Sequence, residues 1–215
     1  TLALNEAFTN EAFFQENGLT KETALTLFIP NTYEFYWNTS ASKIASKMAK
    51  EHKKFWTNER LEKAKALNMT PAQVYTLASI VHKETVKADE RPRVAGAYLN
   101  RINQDMPLQA DPTVIYAIKE KSGDFDQVIK RVGGSNLFVS SPYNTYINKG
   151  LPPGPIAMPD ISAIDAVLNA EKHNYIYFCA DPSRPGYHSF ETTYEAHLVN
   201  AKKYADWVNK LGIKL

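Results

Sequence analysis

Three things are scarce in this sequence: cysteine, long apolar runs and an excess of charge of either sign. The single cysteine, Cys179, excludes a disulfide within the chain. It stands in the apolar run 175–180, where a buried structural thiol is more common than a nucleophile. No apolar stretch reaches the length of a membrane span. The 25 Lys and Arg residues nearly balance the 23 Asp and Glu residues, so we expect no nucleic-acid partner.

The sequence does contain enough apolar material for a folded core. Of its 215 residues 44% are hydrophobic and 12 are tyrosines, which suits one or two globular domains. No internal repeat or low-complexity tract occurs. A lysine-rich face in the first third is most simply a solvated surface, although it could also meet an anionic polymer. It consists of Lys43, Lys47, Lys50, Lys53 and Lys54.

One acidic residue stands out because it falls on the apolar face of a well-signalled helix. Thr70 offers an N-cap hydroxyl, Pro71 suits the first helical position, and Gln73 can close a capping box. The apolar residues that follow recur at spacings of three and four, and Glu84 comes four residues after Ile80. Glu84 therefore shares the inward face of this helix.

A carboxyl group on a buried face loses solvation when it ionises, so its pKa rises. Glu84 could then hold a proton near neutral pH and donate it, as a general acid does. The alternative is a structural ion pair with an arginine of the next segment. The candidates for that pair are Arg91, Arg93 and Arg101, and spacing alone does not separate the two interpretations.

The remaining pattern predicts a mixture of helices and a few strands. We predict helices over 9–17, 40–55, 58–67, 71–84, 91–102, 113–119 and 161–170, and a last helix that ends at Leu211. We predict strands over 24–29, 33–37, 175–180 and 187–190, of which the last two form a β-hairpin.

Two further segments have residues suited to binding. Asp111 before Pro112 fits the N-cap and first position of the helix over 113–119, and a capping residue can also line a site. The prolines within 141–156 exclude a helix interior or a central strand, so this segment is a loop. Its Tyr143, Asn144 and Thr145 offer a ring face, an amide and hydroxyl groups, which suit sugar recognition. A plain surface linker is the alternative.

Metal binding is not indicated. His188 and His197 could be proposed as ligands, but no third ligand stands at a supporting spacing. We expect neither a metal nor another cofactor.

Several blocks of residues occur together in a familiar order. They are Ala-Ser-Ile-Val-His-Lys-Glu-Thr at 78–85, Asn-Arg at 100–101, Leu-Gln-Ala-Asp-Pro-Thr-Val-Ile-Tyr at 108–116, Tyr-Asn-Thr-Tyr at 143–146, Gly-Leu-Pro-Pro-Gly-Pro-Ile at 150–156 and His-Ser-Phe at 188–190. In this order they resemble the endolytic murein transglycosylases (MltG/YceG-like). The resemblance spans about residues 28–208, where Pro-Asn-Thr-Tyr at 30–33 is similar to the family's Pro-Asp-Thr-Tyr.

By this resemblance Glu84 matches the family's catalytic glutamate, the second acid of its usual Glu-Lys-Glu. His82 takes the place of the first acid. Smaller departures are Asn31 for Asp, Asp160 where the family tends to have Gly, and Cys179. We attach no loss of function to them.

The resemblance implies non-hydrolytic cleavage between N-acetylmuramic acid and N-acetylglucosamine in nascent glycan strands, which leaves a 1,6-anhydro end and limits strand length. One carboxyl group, that of Glu84, would serve as acid and then as base. A hydrolase acting on the same polymer is an alternative, and it would need a second carboxylate. The nearby candidates are Asp111, Asp89 and Glu90. A non-catalytic glycan-binding module is the third interpretation.

We therefore predict one catalytic residue, Glu84, and a set of substrate contacts. That set is Gln109, Asp111, Tyr143, Asn144 and Thr145, with His188 as a further candidate. The expected fold is α+β, with helices packed around small antiparallel sheets and the Glu84 helix buried at the centre. Residues 1–70 would support a catalytic core formed by 71–215, within a single domain.

The resemblance also carries expectations about the setting of the protein. It implies an enzyme at the cell surface or in the periplasm, tethered in full length by an N-terminal membrane helix that lies outside this sequence. Its substrate would be peptidoglycan glycan strands, and peptidoglycan synthases would be its partners.

Overall fold

The computed structural model describes residues 2–129 and 132–210. The helices are α1 (Leu2–Phe8), α2 (Glu11–Glu16), α3 (Ala41–Phe55), α4 (Asn58–Ala66), α5 (Pro71–Glu84), α6 (Arg91–Asn103), α7 (Asp111–Ser122), α8 (Ile161–Leu168) and α9 (Tyr194–Lys210). Strands β1 (Tyr177–Ala180) and β2 (His188–Glu191) lie between α8 and α9. Helices with a small antiparallel sheet make this an α+β fold, as predicted.

Helix α5 lies at the centre of the core. Its residues 74–81 are all buried, and it packs against α4, α6, α7 and α8. The capping box of Thr70 and Gln73 is present at its start, as predicted. The Ser79 hydroxyl accepts a hydrogen bond of 3.0 Å from the backbone N–H of Ile156, which ties the proline-rich loop to the helix. These contacts fix the end of α5, where Glu84 is the last residue.

The predicted β-hairpin is confirmed. Strands β1 and β2 pair antiparallel, with Phe178 opposite Phe190 and Ala180 opposite His188. Helix α9 packs against both strands. The ring of Phe178 meets Tyr98 of α6 edge to face, with ring centroids 5.5 Å apart, and so joins the hairpin to the helical core.

The two strands predicted near the start of the chain are wrong. Residues Ala24–Leu27 form a 3₁₀ helix, and 33–37 have no regular structure. Local hydrogen bonds explain the first difference, because the backbone N–H and the hydroxyl of Thr26 both bond to the carbonyl of Thr23. A side chain that satisfies nearby backbone groups in this way favours a tight turn over a strand. Helix α1 was not predicted.

The helix predictions over 40–55, 58–67 and 91–102 agree with α3, α4 and α6 to within a residue or two. The predicted end of the last helix, Leu211, lies outside the described residues. Within the described part of the chain, no helix combines the length and the apolar character that crossing a bilayer needs.

The N-terminal third has a small apolar cluster of its own, formed by Phe14, Leu19, Leu27, Met48 and Ala49. Contacts also cross residue 70, since the hydroxyl of Tyr75 donates a hydrogen bond of 2.7 Å to the carbonyl of Phe28. The division into a supporting part over 1–70 and a catalytic core over 71–215 stays a prediction.

Candidate active site

An open cleft of about 520 Å³ lies at the end of α5. Helices α6, α7 and α9 and the hairpin contribute its other walls. Four of the residues predicted for the site line this cleft together: Glu84, Gln109, Asp111 and His188. They come from positions up to 104 residues apart in the sequence, so only the fold brings them together.

The Glu84 side chain is half-buried. Its Oε2 accepts a hydrogen bond of 3.1 Å from the hydroxyl of Tyr98, which fixes its position in the cleft. Burial raises the pKa of the Glu84 carboxyl, and the nearby charges of Asp111 and Glu90 act in the same direction. The Tyr98 hydroxyl opposes this rise, as does His188 when its ring is charged. A carboxyl group with a raised pKa in an accessible cleft has the properties of a general acid.

The three arginines proposed as structural partners of Glu84 bind elsewhere. Arg91 donates to Asp160, and Arg93 donates to Glu171. Arg101 donates to the backbone carbonyls of Pro107, Leu108 and Ile176. The structure therefore gives no support to the interpretation of Glu84 as an ion-pair residue.

Gln109 reaches the cleft with an unusual backbone conformation. Its φ of 52° lies in the left-handed region, which is uncommon for residues other than glycine. A hydrogen bond of 3.0 Å from its N–H to the carbonyl of Thr145 holds the backbone there, and its side-chain oxygen accepts from Arg101 at 3.2 Å. Residues held in such conformations cluster at functional sites.

Asp111 is not the N-cap of α7, contrary to the prediction. The helix begins at Asp111, and Ala110 stands at the cap position without a side-chain hydrogen bond. The Asp111 carboxylate instead accepts a hydrogen bond of 2.6 Å from the hydroxyl of Tyr146, while its position in the first turn suits the helix dipole. Pro112, the second residue of α7, already suits the helix start. The side chain of Asp111 is therefore not needed as a cap and can face the cleft.

Tyr143, Asn144 and Thr145 are buried and do not line this cleft. The Asn144 amide donates to the carbonyls of Leu137 and Val139, and its oxygen accepts from the N–H of Tyr146. Their polar groups were predicted to meet the sugar, but the observed hydrogen bonds are made within the protein.

The hydroxyl of Thr145 accepts a hydrogen bond of 3.1 Å from the N–H of Ala110, and the ring of Tyr143 packs on Tyr116. The loop thus supports Tyr146 and the start of α7 from behind. Substrate contact by these three residues stays a prediction, and their observed place is a supporting one.

Tyr98 is not among the residues predicted for the site. A buried tyrosine hydroxyl needs a hydrogen-bond partner, and that requirement was the available signal. Arg101 and Tyr146 also line the cleft.

Cys179 lines the cleft from β1 and is half-buried rather than buried. Burial raises the pKa of its thiol, which disfavours the nucleophilic thiolate.

His188 is held by a buried carboxylate. Its ring Nδ1 lies 2.8 Å from Glu90 Oε2, and its backbone N–H donates to Glu90 Oε1 at 2.7 Å. Burial acts to raise the pKa of Glu90, but the hydrogen bonds from His188 outweigh it and lower the pKa.

Within the described residues, no group of three or more His, Cys, Asp or Glu side chains is arranged to hold a metal ion.

Comparison with known proteins shows the family of this chain. Residues 2–203 match the YceG-like family. The chain is 32% identical over 206 residues to the endolytic murein transglycosylase of Bacillus subtilis, a match that covers 95% of this chain and 54% of that protein. It is 39% identical over 117 residues to a protein of the same name from Streptococcus pneumoniae strain D39, over 54% of this chain and 21% of that one.

A crystal structure described as that of a YceG-like protein from Listeria monocytogenes has a similar fold. The TM-score is 0.75 at 30% sequence identity, over 91% of this chain and 66% of that one. The present chain spans about half the length of the B. subtilis relative and about a fifth of the pneumococcal one.

Proposed function

The chain belongs to the YceG-like family, and from that premise we propose that it is an endolytic lytic transglycosylase of peptidoglycan in which Glu84 is the catalytic acid and base. The observation that carries this proposal is the position of Glu84. It is a half-buried carboxyl group with a raised pKa in an open cleft, where it accepts a hydrogen bond from Tyr98 and the nearby arginines bond to other partners.

In the first step, protonated Glu84 donates its proton to the glycosidic oxygen between N-acetylmuramic acid and N-acetylglucosamine as the bond from the anomeric carbon breaks. In the second step, the Glu84 carboxylate takes the proton of the sugar's own C6 hydroxyl as that oxygen bonds to the anomeric carbon. The proton is returned to Glu84, and no water is consumed. The product ends in a 1,6-anhydro sugar.

The hydrogen bond from Tyr98 helps the carboxylate that exists between the two steps, because bonds to an ionised acceptor are stronger than neutral ones. Positioned acid–base catalysis supplies about 10²- to 10⁴-fold in rate. The remainder would come from holding the sugar and from stabilising positive charge at the anomeric carbon. Gln109, Asp111 and His188 are the proposed contacts, since they line the cleft with Glu84.

A two-carboxylate hydrolase is the second candidate, because Asp111 lines the same cleft as Glu84. Such an enzyme would use Asp111 as a nucleophile or as the base for a water molecule. Loss of activity in Asp111→Asn together with reducing-end products would favour it. The short hydrogen bond from Tyr146 to Asp111 favours a structural or binding role for that carboxylate instead.

Glycan strands of peptidoglycan are the proposed substrate, since the curated relatives carry the name endolytic murein transglycosylase. Limitation of strand length, cooperation with peptidoglycan synthases, an extracytoplasmic location and an N-terminal membrane tether are proposed with it. Their support is the resemblance to the family.

The test is to incubate the wild type and Glu84→Gln with purified glycan strands and to identify product ends by mass spectrometry. Anhydro ends from the wild type and none from Glu84→Gln would support the proposal. Ends heavier by one water would indicate the hydrolase, and intact strands from the wild type would indicate a binding module. Glu59→Gln, an exposed change on α4, is the control and should cleave like the wild type.

A further inference from the structure

We propose that Glu90 is a positioning residue for His188, holding its ring so that Nε2 accepts a hydrogen bond from a sugar hydroxyl beside Glu84. This inference rests on the proposed transglycosylase function, because it assigns a step of substrate recognition to the same cleft. Glu90 itself does not line the cleft; it would act through His188.

The geometry begins with the two hydrogen bonds between Glu90 and His188. One carboxylate oxygen accepts from the backbone N–H of His188 and the other from its ring Nδ1, at 2.7 and 2.8 Å. The Glu90 side chain is almost completely buried, with 3% of its surface exposed. Because both oxygens bond to the same residue, the main chain and the ring of His188 are fixed together.

The carboxylate also determines which ring nitrogen carries the proton. An ionised carboxylate can only accept hydrogen bonds, so Nδ1 must be the donor. In the neutral ring, Nε2 is then left with a lone pair and is an acceptor. The rings of His188 and Phe178 pack nearly perpendicular to each other, with centroids 5.4 Å apart, and this contact restricts rotation of the imidazole.

An acceptor at this place fits the proposed reaction. Glu84 begins the reaction as a proton donor, so a sugar hydroxyl beside it needs another group to receive its hydrogen bond. His188 lines the same cleft wall. Phe178 contacts both the His188 ring and Tyr98, the residue that binds Glu84. One continuous set of contacts therefore joins Glu90 to the catalytic carboxyl group.

The neighbouring residue provides a matched comparison. Asp89 accepts hydrogen bonds of 3.0 and 3.3 Å from the hydroxyl of Tyr187. Two consecutive acids on the loop after α5 thus bind Tyr187, the residue before β2, and His188, its first residue. The hydrogen bond between Asp89 and Tyr187 is exposed and also joins the loop after α5 to the hairpin, but it does not involve His188.

The experiment compares Glu90→Gln with Asp89→Asn. The glutamine keeps the size of Glu90 and can accept from the backbone N–H, but its NH₂ would donate to Nδ1 and so reverse the tautomer. Nitrogen-15 NMR of the His188 ring, assigned by its loss in His188→Gln, reads this change directly. We expect the Nδ1–H tautomer in the wild type and in Asp89→Asn, and the Nε2–H tautomer in Glu90→Gln.

Kinetics on glycan strands gives the second readout. We expect kcat to fall by about tenfold in Glu90→Gln, because the reversed tautomer can no longer accept the hydrogen bond of the sugar hydroxyl. A change of tautomer at a buried carboxylate–histidine pair is known to lower kcat without loss of geometry. Asp89→Asn should keep kcat within about twofold, because its contact is exposed.

The proposal is overturned if the wild-type ring is the Nε2–H tautomer, a measurement that needs no variant to fold. It is also overturned if Glu90→Gln reverses the tautomer and keeps wild-type kcat. Failure of the proposed function is a different result, since it appears as the absence of anhydro ends from the wild type. In that case the NMR result still shows whether Glu90 determines the tautomer of the His188 ring, but the proposed contact of His188 with a sugar hydroxyl is rejected.

Discussion

His82 and Asp160 contact each other, with His82 Nδ1 lying 3.4 Å from Asp160 Oδ2. Both side chains lie against the buried guanidinium of Arg91. Burial lowers the pKa of His82, and Arg91 and Lys83 add to this effect while Asp160 opposes it. The ring is thus neutral near pH 7, and its Nδ1 accepts from Arg91 at 3.5 Å. Asp160 supplies the negative charge that His82 lacks.

This relationship predicts that positions 82 and 160 are energetically coupled. Asp160→Gly should lower the free energy of unfolding by about 1 kcal/mol, because a buried guanidinium loses a charged acceptor that is itself partly exposed. His82→Glu should restore most of that loss, since a carboxylate at 82 can meet Arg91. Urea denaturation of both single variants and the double variant measures the coupling. Additive effects would contradict it.

Glu84→Gln should make the folded protein more stable at neutral pH while removing its activity. A carboxyl group whose pKa is raised by folding costs stability above its unfolded pKa, and this cost disappears as the pH falls below that value. The gain should therefore be larger at about pH 7.5 than at about pH 4. Urea denaturation at the two pH values tests this. Unfolding of the variant would instead indicate a structural ion pair.

Tyr98→Phe should move the pH dependence of cleavage. The Tyr98 hydroxyl acts to lower the pKa of Glu84, so its removal should raise that pKa further. Glu84 would then stay protonated to higher pH, and the falling limb of kcat/KM should shift towards alkaline pH. Tyr33→Phe loses a tyrosine hydrogen bond outside the cleft and serves as the control. Identical limbs in Tyr98→Phe and the wild type would argue against this role.

Asn144→Ala should act mainly on stability. Its loss leaves two half-buried carbonyls and one half-buried N–H without their present partner, at a cost of about 1 kcal/mol for each group. We expect a lower melting temperature and lower kcat, with little change in KM. Asn148→Ala is a milder comparison, because that asparagine is exposed. A large rise in KM at unchanged stability would restore Asn144 to the predicted substrate contacts.

The end of α5 could be predicted because its signals are local. The capping box at Thr70 and Gln73 located the start, and the helical period then placed Glu84 on the inward face. Local signals are not sufficient for 24–29, where the apolar run predicts a strand and the structure has a 3₁₀ helix. A strand needs a partner across the sheet, and an apolar run of that length does not distinguish a strand from a short helix.

The surroundings of Glu84 were harder to predict. The loop residues Tyr143, Asn144 and Thr145 were selected for their hydrogen-bonding groups, but composition does not tell whether such groups face outward or satisfy buried backbone. The pair of Glu90 and His188 is separated by 98 residues. No local pattern connects such positions, so their meeting follows only from the packing of the hairpin against the loop after α5.

The pairing of β1 with β2 makes strand register part of the candidate site. Neighbouring residues of a strand point to opposite faces, and a shift by one residue exchanges those faces. His188 meets Glu90 because Ala180 is its partner across the hairpin. The length of the turn at 181–187 therefore decides whether the imidazole of His188 or a neighbouring side chain lines the cleft beside Glu84. A one-residue insertion in this turn would alter the cleft while leaving both strands able to pair.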